Sequence, residues 1–345
     1  MKRMYVQAYC QSNLGDDLFV LHLARRYPET AFYLYAVGDN QKAFLSQSNL
    51  RLPRVWDRFR RKGRHMLGLG AEPFDGQGLD GTVVIGGSIL WEGASLDFSG
   101  APCFLIGPNC EKEYSPAFRQ RLEQALSNVR SCCFRDRASF EQFSQLPNVA
   151  WAPDVLFGYD AALPYQRGRG IGISLVSRKG AFRDEGLREV YCNAIADLCQ
   201  RCLDEKIPLR LLSFCATEGD EEMVEAVLSR VSNPASIAVS CYRGDPGTFL
   251  AEMNECETIL ATRFHAMILG WVLGKNVVPI VYSTKQTQVL ADCGFQGPMW
   301  NALEAASMTG ETLLEYVKSE RGRLDIAELK KRSGAQFAAL DEYLK

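Results

Sequence analysis

The sequence predicts an α/β protein of two Rossmann-like domains facing each other across a cleft. Two observations carry that expectation. Short apolar runs alternate with amphipathic stretches, the pattern of parallel strands covered by helices on both faces. The alternation pauses between Val149 and Tyr165, where prolines and glycines are scattered, and then starts again. The length agrees: 345 residues is long for one core, and two domains of roughly 150 residues are the default. With 47% hydrophobic residues, such a chain buries roughly 75% of its extended surface and needs no disulfide or metal to fold.

The elements follow in order. Met4 to Cys10 reads as a strand, and the turn Ser12-Asn13-Leu14-Gly15 leads into an amphipathic helix ending near Arg26. Ala31 to Val37 is the next strand. Thr82 to Ile85 and Cys103 to Ile106 are short, continuous and apolar, as buried strands are. Pro116 to Ser127 is a helix, Cys132 to Phe134 a strand, and a helix starts near Ser139. Val149 to Tyr165 reads as the linker. The second half runs strand Gly170–Val176, helix Glu185–Glu205, strand Leu209–Phe214, helix Glu221–Val231, strand Ile237–Cys241 and helix Pro246–Glu255. Strand Thr258–Ala261, helix Ala266–Leu273 and a final strand Val277–Tyr282 complete it. The expected domains are 1–160 and 165–310, with a helical tail over 311–345.

Composition excludes several classes. There are 39 basic and 41 acidic side chains, a formal charge of −2, which argues against a general nucleic-acid binder. The longest apolar stretch with a helical pattern, Ala266 to Gly274, stops at Lys275 and is too short to cross a bilayer. Met1-Lys2-Arg3-Met4-Tyr5 lacks the apolar core of a secretory signal, so a cytoplasmic chain is expected. The twelve cysteines are scattered rather than framed, and read as free, mostly buried thiols. Cys199-Gln-Arg-Cys202 lacks the second pair or the two histidines that a zinc site needs. Cys192, Cys199 and Cys202 instead share one helix face. No metal or cofactor is expected.

One stretch departs from the average. Arg51, Arg54, Arg58, Arg60, Arg61, Lys62 and Arg64 face a lone acid, Asp57, with Trp56 and Phe59 interleaved. Arg51 to His65 is either a solvated loop or helix, or a patch for anionic lipid headgroups or a lipid-pyrophosphate substrate.

Ligands of parallel sheets bind at the carboxyl ends of the strands, so chemistry is sought there. Gly76-Gln-Gly78-Leu-Asp-Gly81 matches a dinucleotide fingerprint but precedes a strand instead of following one, and reads as loop glycine. No phosphate-binding P-loop and no serine-hydrolase elbow is present. Asn13-Leu14-Gly15-Asp16 follows the first strand. Asn13 or Asp16 can cap the helix, Gly15 permits close approach by the chain or a ligand, and Asp16 can meet substrate hydroxyls or act as an acid or base. Gly86-Gly87-Ser88 follows the strand Thr82–Ile85, where the glycines either allow a tight turn or admit an anion to the backbone. Arg135-Asp136 with Ser139, and Pro153-Asp154, sit at further strand ends.

The most informative segment is Thr258 to Lys285. Its first strand ends in Thr262-Arg263-Phe264-His265, and a helix begins at once. The helix N-terminus presents N–H groups and partial positive charge, to which Arg263 adds a fork-shaped donor and His265 a titratable group. Lys285 ends the next strand, and Arg178 the domain's first. Such a cluster suits a small ligand bearing phosphate and carboxylate. The alternative is that His265 only caps its helix while Arg263 pairs with an acid at the domain interface.

Together these segments resemble the polysaccharide pyruvyl transferase family, from Asn13-Leu14-Gly15-Asp16 through the glycine turn, Arg135-Asp136 with Ser139 and Pro153-Asp154, to Arg263-Phe264-His265, Pro279-Ile280-Val281-Tyr282 and Lys285. The resemblance covers roughly residues 10 to 290. The family often has a third glycine in the central turn, where this chain has Ser88. The resemblance implies a GT-B-like pair of Rossmann domains, the N-terminal one on the acceptor side and the C-terminal one on the phosphoenolpyruvate side. It implies transfer of the pyruvyl unit of phosphoenolpyruvate, as donor substrate, to a sugar of a cell-surface polysaccharide or its lipid-linked precursor, giving a ketal and phosphate. By carry-over, Arg263 and His265 bind phosphoenolpyruvate, joined by Arg178 and Lys285. His265 would be the general acid, or protonate departing phosphate, and Asp16 the base for a sugar hydroxyl. Asn13, Gly86, Gly87 and Ser88 would line the substrate site. The expected location is cytoplasmic, at the inner face of the plasma membrane if Arg51–His65 meets lipid. Two other classes remain open: a GT-B glycosyltransferase using a nucleotide sugar, and a sugar-binding protein without turnover.

Overall fold

The computed structural model describes residues 1–36, 41–52, 78–96, 98, 102–177, 185–302 and 308–345. They form two compact units. The first comprises Met1–Gln11, Asp16–Val155 and Ser333–Lys345; the second comprises Ser12–Gly15 and Leu156–Arg332.

The first unit is built on a seven-stranded sheet of β1 (Arg3–Gln7), β2 (Ala31–Leu34), β3 (Leu50–Arg51), β4 (Gly81–Ile85), β5 (Cys103–Ile106), β6 (Ser131–Phe134) and β7 (Val149–Trp151). The order is β3-β2-β1-β4-β5-β6-β7, and every pairing is parallel. The chain therefore leaves β1 in one direction and returns on its other side at β4. That reversal is the point where ligands of such sheets bind. Helices α1 (Leu14–Arg26), α2 (Gln41–Leu45), α3 (Pro116–Ser127) and α4 (Arg137–Glu141) connect the strands. The first two residues of α1 group with the second unit. Asp16 and Asp17 in its first turn and Arg25 and Arg26 in its last complement the helix dipole. Ser115 caps α3 through the Phe118 N–H, Pro116 occupies its first position, and Phe118, Leu122 and Leu126 bury one face.

The second unit repeats the scheme with β8 (Ile171–Ser174), β9 (Leu209–Ser213), β10 (Ala238–Cys241), β11 (Thr258–Ala261), β12 (Asn276–Val281) and β13 (Trp300–Asn301), in the order β10-β9-β8-β11-β12-β13. Its pairings are also parallel, and its reversal lies between β8 and β11. The helices are α5 (Glu185–Asp204), α6 (Asp220–Leu228), α7 (Pro246–Asn254), α8 (Phe264–Val272), α9 (Thr284–Asp292), α10 (Gly310–Lys318) and α11 (Ala327–Ser333). Its core joins Ile173, Leu211 and Leu260 of the sheet to Ile195 and Leu198 of α5. Cys192, Cys199 and Cys202 lie on that buried face. All twelve cysteines are free thiols, ten of them buried. Burial pushes the Cys199 and Cys202 thiols up to about 12, so they stay protonated.

The fold departs from the sequence pattern in a few places. Val149–Trp151, inside the expected linker, pairs with β6 as the last strand of the first sheet. β3 and β13 are two residues long, too short to show a period. α9, which the sequence pattern did not mark, is polar overall and buries Gln286 alongside Val289 and Leu290. Gly78, from the glycine-rich loop, precedes β4, whereas Gly76 lies outside the described residues. So does the basic stretch beyond Arg51 and Leu52. Among the described residues no helix is long and apolar enough to cross a membrane.

The end of the chain returns to the first unit as α12 (Ala338–Leu344), preceded by the turn Gly334–Phe337. Gln336, 3% exposed, reaches the carboxyl ends of three strands. Its Oε1 accepts the Gly107 N–H, and its Nε2 donates to the carbonyls of Phe134, Ala152 and Pro153. A side-chain amide satisfies backbone groups that would otherwise be buried unpaired. Gln336→Leu keeps the volume and removes these bonds. It is expected to lower the urea midpoint by an amount equivalent to roughly 2–3 kcal/mol; an unchanged midpoint would show that apolar contacts alone dock the tail.

Candidate functional site

The turn after β11 lies at the reversal of the second sheet and is tied from three directions. Ser174, fully buried at the end of β8, accepts the N–H groups of Thr262 and Arg263 on its Oγ, both at 3.0 Å. The Thr262 hydroxyl meets the Tyr191 hydroxyl of α5 at 3.0 Å. Gln286 of α9 donates to the Thr262 carbonyl at 3.0 Å and accepts the Tyr282 N–H at 3.0 Å. The start of α8 is thus fixed to three neighbouring elements.

Arg263 is the N-cap residue of α8, with extended backbone. Its side chain turns toward α6. Nε donates to both carboxylate oxygens of Asp220 at 3.1 and 3.0 Å; Nη2 also bonds Asp220, and Nη1 bonds Glu218. Asp220 is itself fully buried and accepts the N–H groups of Phe214 and Cys215, both at 3.0 Å. Burial disfavours a charged guanidinium, but the Asp220 and Glu218 charges outweigh it and hold Arg263 ionised. An acid partner for Arg263 was one of the two expectations, but the acids come from the same unit. Three of the five guanidinium N–H groups are engaged by these two carboxylates.

His265 is the second residue of α8, and its ring packs edge-on to Phe264 with centroids 5.2 Å apart. A Cβ built on Gly15 would land inside the His265 imidazole. Gly15 is therefore a glycine because the imidazole lies directly on its backbone. Its turn is held in place by an antiparallel bridge between Asn13 and Cys215 and by the Leu14 N–H on the Phe214 carbonyl at 3.1 Å. Asn13 caps the turn, its Oδ1 accepting the Gly15 N–H at 3.1 Å. Lys285 stands in the first turn of α9, partly buried. Arg178 lies outside the described residues. A separate cavity of about 690 Å³ opens at the opposite, amino-terminal edge of this sheet beside Arg167, Arg169 and Arg210, away from these loops.

In the first unit the structure gathers motifs that are weak one by one. Asp16 Oδ1 lies 3.9 Å from the position a Cβ would take on Gly86, so this carboxylate sits beside the glycine turn. A Cβ on Gly87 would collide with the Arg135 guanidinium, which packs against the turn from below. Arg135, 2% exposed, pairs with Asp154 at 3.3 Å and donates to Asn109 at 2.5 Å. Asp136 caps α4 through the Ser139 N–H and hydroxyl, both at 2.8 Å, and the Ser139 hydroxyl accepts the Cys110 N–H. Arg135, Asp136, Ser139 and Asp154 therefore shape the edge of the sheet beneath the turn, and Ser88 is exposed at its tip.

Ser174, Gln286, Asp220, Glu218 and Asn109 were absent from the sequence reading. Asp220 was the readable one among them, as the first residue of an acid-rich helix start that invites a basic partner. Gly15→Ala is expected to displace the His265 ring and to cost about 1–3 kcal/mol through overpacking. Ring resonances of His265 in ¹H–¹⁵N spectra that match the parent protein would contradict the close approach.

Comparison with known proteins agrees with this architecture. Anabaena HepE, solved with UDP and glucose, superposes with a TM-score of 0.57 at 11% identity over 100% of this chain and 99% of that one. Methanocaldococcus jannaschii UDP-GlcNAc 2-epimerase, with UDP-GlcNAc and UDP, gives a TM-score of 0.65 at 9% identity, covering 99% and 100%. S. aureus MnaA with UDP gives 0.60 at 12% identity, covering 99% and 95%. Identities this low speak for the fold alone, a GT-B-like pair of parallel sheets. No curated protein matches the sequence. The family model of the polysaccharide pyruvyl transferases matches residues 13–284, from Asn13 through Arg263-Phe264-His265 and ending one residue before Lys285, and the chain belongs to that family.

Proposed function

We propose that this transferase moves the pyruvyl unit of phosphoenolpyruvate onto two hydroxyls of one sugar in a polysaccharide or its lipid-linked precursor. The observation that carries the reading is the fixed start of α8, where Arg263 and His265 stand at the reversal of the second sheet. Phosphoenolpyruvate is close to a trianion at neutral pH. A helix N-terminus, the remaining N–H groups of Arg263 and the Lys285 ammonium give it matching donors, and Arg178 is proposed as a further cation for it.

The chemistry requires a proton on the methylene carbon, which creates an oxocarbenium-like centre. One sugar hydroxyl adds there, the C–O bond to phosphate breaks, and the second hydroxyl closes the ketal. The two hydroxyls release two protons. One replaces the proton spent on carbon, and the other leaves on phosphate. In our reading His265 delivers the proton to carbon or to the departing phosphate, and Gly15 sets where the imidazole stands. Asp16 takes a proton from a sugar hydroxyl, and Arg263 holds phosphate or carboxylate and stabilises the developing charge. Asn13 acts through the Gly15 turn. Gly86, Gly87 and Ser88 form the turn that the acceptor meets, with the side-chain space of Gly87 given over to the Arg135 guanidinium.

The basic stretch Arg51–His65 would hold the enzyme on the anionic inner surface of the plasma membrane, where a lipid-linked acceptor is displayed. A second reading, a glycosyltransferase using a nucleotide sugar, draws on the nucleotide-bound proteins of similar fold.

Phosphate release from phosphoenolpyruvate with a polysaccharide acceptor tests the assignment. His265→Ala is expected to slow it by about 10²- to 10⁴-fold while circular dichroism stays unchanged. A parent-like rate would remove His265 from the mechanism.

A further inference from the structure

The loop after β4 carries an exposed indole on an unusually well-braced backbone. Trp91 is 53% exposed, at the carboxyl edge of the first sheet, and follows the glycine turn that lies beside Asp16. Single exposed aromatics are common on protein surfaces and need no explanation by themselves. What distinguishes Trp91 is its support. Leu90 before it is buried, bridges Cys110 in parallel, and accepts the Tyr114 hydroxyl on its carbonyl. The Tyr114 oxygen in turn accepts the Glu111 N–H at 2.8 Å. On the other side, the Glu92 N–H donates to the Glu111 carboxylate at 3.1 Å, and the Glu92 carboxylate accepts the Ser115 N–H at 3.1 Å. The Trp91 carbonyl closes the turn by accepting the Ala94 N–H at 2.9 Å. Gly93, at φ +101°, lies under the ring, and a Cβ there would come within 2.9 Å of Trp91 Cζ3. The indole therefore rests on bare backbone, held by the bonded segment Leu90–Ala94.

A flat, half-exposed π-face on a braced loop that also carries the Glu92 and Glu111 carboxylates is the complement of a pyranose. The sugar offers polarised C–H groups on one face and hydroxyl donors around its rim, and an aromatic ring presents a negative face to such groups. The local charge also selects. Glu92, Glu111 and Glu113 outnumber Lys112 on this exposed stretch, which disfavours a sugar carrying its own carboxylate. We propose that Trp91 is the stacking platform for the acceptor sugar, with Glu92 and Glu111 accepting its hydroxyls, and that the acceptor is a neutral hexopyranoside rather than a uronic acid. This inference rests on the glycan-acceptor reading above and adds the class of sugar and the residue that holds it. Galactose is a suitable probe, because its axial O4 leaves H3, H4 and H5 together on one face of the ring.

Saturation-transfer NMR on the full chain tests the platform without requiring turnover. The probes are methyl β-D-galactopyranoside and the methyl glycoside of D-galacturonic acid. With the parent protein, transfer to H3, H4 and H5 of the neutral glycoside is expected. It should be lost in Trp91→Ala and recovered in Trp91→Phe, and the uronide should bind at least tenfold more weakly. In turnover assays Trp91→Ala should raise the acceptor KM about tenfold and leave the phosphoenolpyruvate KM unchanged. A transfer pattern that survives Trp91→Ala, or no transfer in the parent protein, would overturn the platform. Equal binding of the uronide would overturn the neutral acceptor. Absent phosphate release with the transfer pattern intact would instead count against the pyruvyl-transfer reading and leave the platform standing.

Discussion

The second unit depends on one buried hydroxyl. Ser174 Oγ, at the end of the first strand of that sheet, accepts two consecutive N–H groups from the turn after β11. A parallel sheet reverses its winding between these strands, so their loops diverge and leave a gap. Joining the loops through a single side-chain acceptor fixes where α8 begins. Everything the site offers then follows from that position: the N-terminal turn of α8, the direction of Arg263 and the height of His265. Tyr191 and Gln286 reinforce the turn from α5 and α9, so the helix start cannot drift without breaking bonds in buried surroundings, where each is costly to lose.

Arg263 illustrates how a charge is kept available inside a protein. A lone buried guanidinium would be strongly disfavoured, and Asp220 and Glu218 offset that cost. Asp220 is the firmer partner, since two backbone N–H groups hold it in place. Glu218 is the less buried of the two, 13% exposed against 0% for Asp220. The same economy appears in the first unit. Arg135 is committed to Asn109 and Asp154, and its role is to support the Gly86-Gly87 turn from below. The two arginines end different strands, Arg135 after β6 and Arg263 after β11 at the reversal, and each is neutralised by acids of its own unit.

Much of the fold was legible because strands such as β4, β5, β8 and β11 are short and apolar and several helices carry a cap signal. Proline and acid signals such as Ser115-Pro116 and Asp245-Pro246 mark helix starts that the structure reproduces. The position of Arg263-Phe264-His265 at a strand-to-helix junction was also readable, since it depends only on local pattern. What could not be read depends on residues far apart in the chain. Gly15 could be seen as a place of close approach, but not that the approaching group is an imidazole from the other end of the chain. Asp220 and Glu218 come from the helix region before β10 and have no local signal linking them to Arg263. Gln336 is one polar residue in a polar tail, yet it binds the ends of three strands. β3 and β13 escaped because two residues carry no period.

The central claim is that the start of α8 is built for phosphoenolpyruvate and not for a nucleotide. The most direct measurement is thermal unfolding of the full chain with phosphoenolpyruvate, UDP-glucose or neither at matched concentration and ionic strength. A ligand bound to the folded state raises Tm in proportion to RT ln(1 + [L]/Kd), about 2.7 kcal/mol at a hundredfold excess over Kd. The account predicts a dose-dependent rise in Tm with phosphoenolpyruvate and none with UDP-glucose. A rise with UDP-glucose alone would contradict it and support a nucleotide-sugar transferase on the same fold.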